Sequence, residues 1–408
     1  MWWHVPAAEI NAYPQRLVRL LMRQSGVEEV ANPDDADLAC VSVCDITEAH
    51  WIRDARVRSG GRIPVLVGGG AAINPGVQAL ADYTCAGEAY GLARHLAACK
   101  SVSDIPDIYG IGHDGKPALI DEYIDWRQTP LLQVTNRAWY YYCGKGCPLK
   151  CKYCQMAYSR HGVYAPYPYV QAAARKVPHG GRFYPMVGRW PYDAPPPSNC
   201  GNLDMPMTEY IRRAVPGKSP LRFGLECFGE HARREIAKPI PWEDWRGMIA
   251  KSAREGRRVA VYLVMGLEPG AAVREMLDNT PVVAGPSTPT ITLSHIWFEP
   301  QYPTPLYDVD LRTIHDDIDI PRFHRELRNR CTRFRYIGAR DRHMATWRAM
   351  QSRARERELA MRLLSMSAWP VDKLLRWAES TAPYLLGSTP LGEALQRPRQ
   401  HIPDIFLS

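Results

Sequence analysis

The sequence predicts an α/β protein: a small doubly wound domain, then a partial parallel barrel, then a helical region. Three observations predict it. Apolar, β-branched runs alternate with helical segments through the first hundred residues. A second strand–helix series of the same rhythm runs from about residue 131 to 306. Beyond Pro305 the strand signals stop and Arg-rich helix takes over. Alternating β and α units of this length build parallel sheets covered by helices.

In the first series, residues 36–43 (ADLACVSV) read as a strand that follows the turn-like Asn32-Pro33-Asp34-Asp35. Residues 48–58 read as a helix, and 63–67 (IPVLV) as a buried strand closed by Gly68-Gly69-Gly70. A short helix at 77–81 and a short strand at 83–86 complete an open sheet. Residues 106–130 are polar, with Gly and Pro, and read as a linker. In the second series, strands are expected at 137–142, 182–187, 221–225, 258–264 and 291–298. Helices are expected between them at 170–176, 208–214, 242–255 and 271–277. The expected division is therefore 1–105, 106–130, 131–306 and 307–408.

Composition narrows the class. In 408 residues, 46% hydrophobic and 23% charged, there is material for a large core and no sign of global disorder. No stretch has the ~18 apolar residues of a membrane helix, and the start, Met1-Trp2-Trp3-His4, does not read as a signal peptide. The expected location is the cytoplasm, or a host's cytoplasm if the gene is phage-encoded. The eleven cysteines are odd in number, and four of them fall within twelve residues. That pattern fits metal ligation in a reducing compartment better than a disulfide framework.

Those four lie in Cys143-Gly-Lys-Gly-Cys147-Pro-Leu-Lys-Cys151-Lys-Tyr-Cys154. Cys147, Cys151 and Cys154 have the spacing C-x3-C-x2-C on a polar loop after the first strand of the second series. Each iron of a cubane cluster takes a thiolate, so three protein ligands leave one iron open. A structural zinc site prefers two cysteine pairs set further apart. Loops at the carboxyl ends of barrel strands are where sites are built.

These residues resemble the radical SAM superfamily. The resemblance covers roughly residues 131–306 and extends beyond the cysteines. Tyr153, between the last two ligands, matches a position whose backbone lies near the adenine of S-adenosylmethionine (SAM). Arg222-Phe-Gly224-Leu-Glu226, followed by residues 230–240 (EHARREIAKPI), is similar to the G-[IV]-E…LR..I.KP segment of cobalamin-type and methylthiotransferase-type members. Residues 261–267 (VYLVMGL) and 299–305 (EPQYPTP) resemble two later barrel segments of that family. The resemblance implies a [4Fe–4S] cluster on Cys147, Cys151 and Cys154, with SAM on its open iron. It also implies reductive cleavage of SAM to a 5′-deoxyadenosyl radical, and an electron donor such as flavodoxin or ferredoxin. Gly224 and Glu226 are implied beside SAM. The family's G-G-E after the second strand is missing, since residues 184–189 read YPMVGR, so Arg189 and Asn202 stand as substitutes for the SAM clamp. No catalytic residue proper is assigned.

Residues 37–87 resemble the Rossmann-like, cobalamin-binding-like domain that precedes the barrel in those members. Their D-x-H-x-x-G cobalt motif is absent, because Asp45 and His50 have the wrong spacing. Only Cys44 falls where a second-cluster ligand would be. Cobalamin bound without a histidine ligand stays open, and a domain without cofactor is the preferred reading.

The net charge of +8 is localised. From Arg322 to Arg357 there are twelve Arg against three acids, interleaved with Phe323, Phe334, Tyr336 and Trp347. Arg forks suit phosphates and aromatic rings suit unpaired bases, which points to nucleic acid. An amphipathic helix with aromatic core and basic surface is the competing reading. Tyr140, Tyr141, Tyr142, Tyr158, Tyr164, Tyr167 and Tyr169 either line a base pocket or pack the barrel. The expected function is modification of a nucleobase in DNA or RNA, for instance rearrangement or C–C bond formation on a modified pyrimidine as in phage DNA hypermodification. The alternative is a cobalamin-dependent radical SAM methyltransferase acting on a small molecule or peptide.

Overall fold

The β-branched runs of the first series assemble into a sheet with the order β2-β1-β3-β4-β5-β6. Its strands are β1 (Trp2–His4), β2 (Glu29–Val30), β3 (Leu38–Ser42), β4 (Val65–Gly68), β5 (Tyr83–Cys85) and β6 (Ile111–Gly112). The first five are parallel, and β6 runs antiparallel to β5. The computed structural model describes residues 2–4, 12–85, 89–98, 111–112, 126–127, 129–147, 149, 151–157, 163–186, 190–201, 203–215, 220–283, 290–330, 334–337 and 342–398. It divides into two compact units, Met1–Val134 with Thr346–Leu386, and Thr135–Ala345 with Gly387–Ser408. The helical region drawn from the sequence as one piece, 307–408, is thus shared between them.

In the first unit, β3 buries Leu38, Ala39, Cys40 and Val41 in succession, as a strand covered on both faces must. Helices α1 (Ala12–Gln24), α2 (His50–Arg58), α3 (Pro75–Gln78) and α4 (Ala89–Ala98) connect the strands. Trp2, Met22, Leu38, Leu66, Cys85 and Leu92 form one core cluster. The strand order is flavodoxin-like, with its switch point between β1 and β3. The turn after β3 is set by a capping box in which Asp45 accepts from Thr47 N and Glu48 reaches back. Sequence reading found β3, β4, β5 and α2. It missed β1, β2 and β6, because strands of two or three residues carry no readable alternation, and it also missed the helices α1 and α4.

In the second unit the expected strands form with ends shifted by a residue or two. After β7 (Leu131–Thr135), nearly all of which falls in the first unit, β8 (Ala138–Tyr142) leads to a small antiparallel pair, β9 (Gly144–Lys145) and β10 (Val163–Tyr164), flanking the cysteine loop. Helix α5 (Tyr167–Arg175) returns the chain to β11 (Arg182–Met186), parallel to β8. A single bridge, Phe183 to Cys200, continues from β11 toward β12 (Leu203–Asp204). From β12 the order is β13 (Leu221–Glu226), β14 (Val259–Met265), β15 (Ile291–Trp297) and β16 (Phe334–Ile337), all parallel. The connecting helices are α6 (Met207–Arg212), α7 (Glu230–Glu235), α8 (Trp242–Glu255), α9 (Val273–Asn279) and α10 (Ile320–Arg330). Helix α8 starts with Glu243 and Asp244 in its first turn, which suits the positive end of the dipole, and stops at Gly256 with φ 59°.

Side chains alternate across these strands. On β13, Leu221, Phe223 and Leu225 are buried on the helix side, where Phe223 meets Tyr210 of α6 at 5.4 Å. Arg222 and Gly224 therefore face the concave inner side. Two expectations are corrected. Strands do not stop at Pro305, because β16 adds to the sheet from within the Arg-rich segment. The two-residue β12 was also missed, being too short to show a pattern.

The last helices are α11 (Arg342–Arg353), α12 (Arg357–Leu364), α13 (Val371–Thr381) and α14 (Leu391–Gln396). From Thr346 to Leu386 the chain belongs to the first unit. There Arg348 Nη1 donates to Asp45 Oδ2 at 2.9 Å, Ser352 Oγ to Asn74 Oδ1 at 2.8 Å, and Arg357 Nε to the Ala79 carbonyl at 3.0 Å. Among the described residues no helix is long and apolar enough to cross a membrane.

A Cβ on Gly76 would collide with the Gln351 carbonyl. Gly76→Ala should therefore push α11 away from α3 and cost about 1–3 kcal/mol, the usual range for overpacking. Denaturant unfolding should show a lower midpoint for the variant, and an unchanged midpoint would contradict this packing.

Candidate active site at the cysteine loop

The cysteine loop follows β8 and is tied down at both ends. Lys152 N donates to the Ile236 carbonyl at 3.0 Å, and Gln155 N to Gln301 Oε1 at 3.1 Å. Lys152 Nζ reaches the Leu395 carbonyl. Cys151 is buried, and Cys147 and Cys154 are partly so. Burial pushes the Cys151 thiol up to about 12, offset in part by Lys238, and each of the three thiols bears on another electrostatically. Among the described residues no three Cys, His, Asp or Glu side chains stand in a ready-made metal geometry. The donor set nevertheless fits an iron–sulfur cluster: three thiols on one short loop, with Lys238 near enough to favour thiolate. All nine described cysteines are free.

Cys143 is built differently. It is fully buried, its N–H bonds the Met186 carbonyl at 3.3 Å, and its Sγ lies 3.8 Å from the same oxygen. It is a core residue under the loop.

Glu226 ends β13 beside this loop. It is buried, and its φ of 72° sits in the left-handed region that non-glycine residues rarely adopt. The strand register slips between Gly224 and Glu226, so the bulge turns the carboxylate back over Gly224. There it pairs with Lys238 and hydrogen-bonds the Tyr153 side chain. A Cβ on Gly224 would meet both Glu226 Oε1 and Lys238 Nζ, so the pair keeps this position only over a glycine. The structure thus brings Tyr153, Gly224 and Glu226 together with the three cysteines. Arg189 and Asn202 lie outside the described residues.

The turn after Glu226 is held from both sides. Glu268 accepts from Phe228 N at 2.8 Å and Gly229 N at 2.7 Å. Arg233, fully buried, donates to the Ile240 carbonyl at 2.7 Å and the Cys227 carbonyl at 3.0 Å, and its guanidinium stacks 4.1 Å from the Trp242 ring centroid.

Sequence reading missed Lys238 as a site residue. Its signal was present, since the K-P dipeptide lies in the loop that closes on the cysteines. It also missed the inner-face pair Arg222–Asp204. Of the tyrosines, Tyr140 lies on the inner face, whereas Tyr141 is buried near Phe183 at 6.4 Å and Tyr167 meets Trp190 edge-on at 6.1 Å. Tyr158 lies outside the described residues.

In the first unit, the glycines after β4 close on their own sheet. A Cβ on Gly69, at φ 102°, would run into the Val43 backbone, and Gly70 approaches the Cys44 carbonyl. His50 directs Nδ1 at the Thr47 carbonyl, 2.7 Å away.

No family model and no curated protein matches the chain. Among solved structures it is similar to the radical SAM methyltransferase TsrM from Kitasatospora setae with cobalamin and [4Fe-4S] cluster bound, at 11% identity and TM-score 0.49, over 72% of this chain and 74% of that one. A second TsrM structure, with tryptophan substrate and a SAM analog, gives 12% identity and TM-score 0.48, over 75% of this chain and 74% of that one. The cobalamin-dependent SAM radical enzyme OxsB gives 10% and 0.48, over 68% of this chain and 51% of that one, so the chain spans about half of OxsB. At these values the functional reading rests on this chain's own residues.

Glu268 yields a pH prediction. Burial pushes its carboxyl up from 4.5 to about 7, against the two backbone N–H donors. The folded state thus holds the proton to higher pH than the unfolded chain does. The stability it contributes is complete below about 4.5 and is lost as pH rises through about 7, up to roughly 3 kcal/mol for that shift. Glu268→Gln removes the titration and gives up one of the two acceptor oxygens, a loss that is the same at every pH. Melts at pH 5 and pH 8 should show the wild type losing more stability than the variant, and parallel profiles would refute the assignment.

Proposed function

We propose that the chain is a radical SAM enzyme whose [4Fe–4S] cluster is held by Cys147, Cys151 and Cys154. The observation that carries it is the three-thiol loop at the carboxyl end of a parallel-barrel strand, closed against the Glu226–Lys238 pair. When bound, the cluster supplies the electron that cleaves the sulfonium C–S bond of SAM. The chain's own residues do the rest. Lys152 and Gln155 fix the loop, Tyr153 and Lys238 hold the Glu226 carboxylate at the rim, and the bulge at Gly224 leaves space for it. Glu226 is offered to a hydroxyl or ammonium group of SAM.

Anaerobic reconstitution with SAM and dithionite tests this reading. Wild type should form 5′-deoxyadenosine. Cys147→Ala, Cys151→Ala and Cys154→Ala should each reduce it to background, while Cys143→Ala should retain it. Loss in Cys143→Ala, with the fold intact by circular dichroism, would break the ligand assignment.

Of the finer readings, a small molecule or peptide substrate has better support than a nucleobase. The nucleic-acid reading drew on the arginines between 322 and 357. Arg348 and Arg353 are buried, and Arg353 donates to the Leu385 carbonyl at 2.9 Å. Phe323 and Trp347 are core, the Trp347 indole bonding the Leu363 carbonyl at 2.7 Å. Helix α10 is compatible with the amphipathic alternative, with Phe323 and Leu327 buried and Arg322, Arg325 and Arg328 exposed.

Cobalamin-dependent methyl transfer is a second reading, supported by the flavodoxin-like order of the first sheet, whose carboxyl edge is where such sheets take cofactors. The residues present do not fit the usual histidine-ligated cobalt, because the D-x-H-x-x-G motif is absent. A corrinoid here would be held through its ring and side chains. This reading predicts a corrinoid absorption spectrum after reconstitution with hydroxocobalamin, and S-adenosylhomocysteine among the products. Neither signal would be seen if the domain takes no cofactor.

A further inference from the structure

The inner face of the barrel carries a second polar group below the Glu226–Lys238 pair. Asp204 on β12 and Arg222 on β13 are register partners, and Arg222 Nη2 donates to Asp204 Oδ2 at 2.5 Å. The two side chains are about one-third exposed, at 35% and 36%. Arg222 Nε is shielded from solvent and has no hydrogen-bond partner among the described residues. Beside this pair, Tyr140 of β8 and Tyr184 of β11 are also register partners, with rings stacked at 4.9 Å and 14°. Tyr140 lies within electrostatic reach of Arg222, and Asp204 within reach of Lys238. The Tyr184 ring lies flat over Gly201, where any Cβ would displace it. These four residues therefore make one continuous surface.

Its chemistry is specific. A cation and an anion side by side, both about one-third open, match a ligand that carries the opposite charges in the same small space. A free amino acid does so: its carboxylate suits the guanidinium fork and its ammonium suits the aspartate. Adjacent aromatic faces suit a planar side chain. A peptide interior or a nucleobase offers no such charge pair.

We propose that Arg222 and Asp204 anchor the α-carboxylate and α-ammonium of a free amino acid substrate, with Tyr140 and Tyr184 beside its planar side chain. This deepens the proposed function and rests on it for the use made of the bound molecule. Lys238 Nζ overlies Gly224, and Arg222 is two residues deeper on the same strand, or ~7 Å at ordinary strand rise. The anchor is therefore a separate place from the rim where SAM is offered.

Calorimetric titration of the reconstituted full-length protein with phenylalanine, tyrosine and tryptophan, with no reductant present, tests the proposal. At least one should bind, and should still bind with SAM at saturation. Its N-acetyl amide, which lacks both charges, should bind at least tenfold more weakly. Arg222→Gln and Asp204→Asn should each weaken binding of the free amino acid by a similar factor and leave the N-acetyl amide unaffected. Three results would overturn the proposal: no binding of any of the three, equal binding of the amide, or displacement by stoichiometric SAM. The ligand comparison on wild type stands even if a variant fails to fold. Deoxyadenosine formation without amino acid binding would sink this inference alone, and amino acid binding without SAM cleavage would sink the radical SAM reading.

Discussion

The buried ion pair between Glu226 and Lys238 is the constraint on which the site depends. Three segments distant in sequence meet there: the cysteine loop through Tyr153, the end of β13 through Glu226, and the loop after α7 through Lys238. Burying two charges is costly, and taking away one partner of such a pair generally costs about 3–5 kcal/mol because the other is left uncompensated. The pair tolerates burial because its members also hold neighbours. The carboxylate takes the Tyr153 side chain, and the ammonium sits close to the thiols of Cys151 and Cys154. The left-handed backbone at Glu226 is local strain of the kind found at functional sites, kept in place by clamps on the following turn.

Charge is distributed over the inner face in alternating sign. Asp204, Arg222, Glu226 and Lys238 follow one another across β12, β13 and the loop behind α7, while the helix side of the same strands is apolar. The period-2 geometry of a strand separates the two surfaces without any special device. Thus one strand, LRFGLE, supplies packing residues to the shell and chemical residues to the interior.

Much of this was legible in the sequence. Strands such as VAVYLVM and the whole of α8 could be read because β-branched runs and amphipathic periods are local signals. The cysteine loop was legible because its spacing is itself chemistry. The partners of Lys238 and Arg222 were not, because a lysine or arginine in a strand or loop looks the same whether it faces water or a carboxylate. The Arg-rich segment is ambiguous for a related reason: net charge counts arginines but does not show which of them already face a carbonyl or carboxylate within the fold. Strands β1, β12 and β16 escaped because two to four residues have too little pattern, and only pairing with a neighbour defines them.

The division of the chain has a consequence for its synthesis. The first unit is discontinuous: its sheet comes from the first third of the chain, and the helices that supply Arg348, Ser352 and Arg357 come from the last quarter. Domains fold as they leave the ribosome, at about 5–20 residues per second. The early sheet must therefore wait more than two hundred residues, or on the order of ten seconds or more at that rate, for the partners of Asp45, Asn74 and Ala79. Through that interval its polar loops and the groove beside Gly76 stay open. The strands of the barrel, β8 to β16, are all made in between. The second unit in turn takes its last piece, Gly387–Ser408, after those helices, so neither unit is complete until the chain is nearly all made.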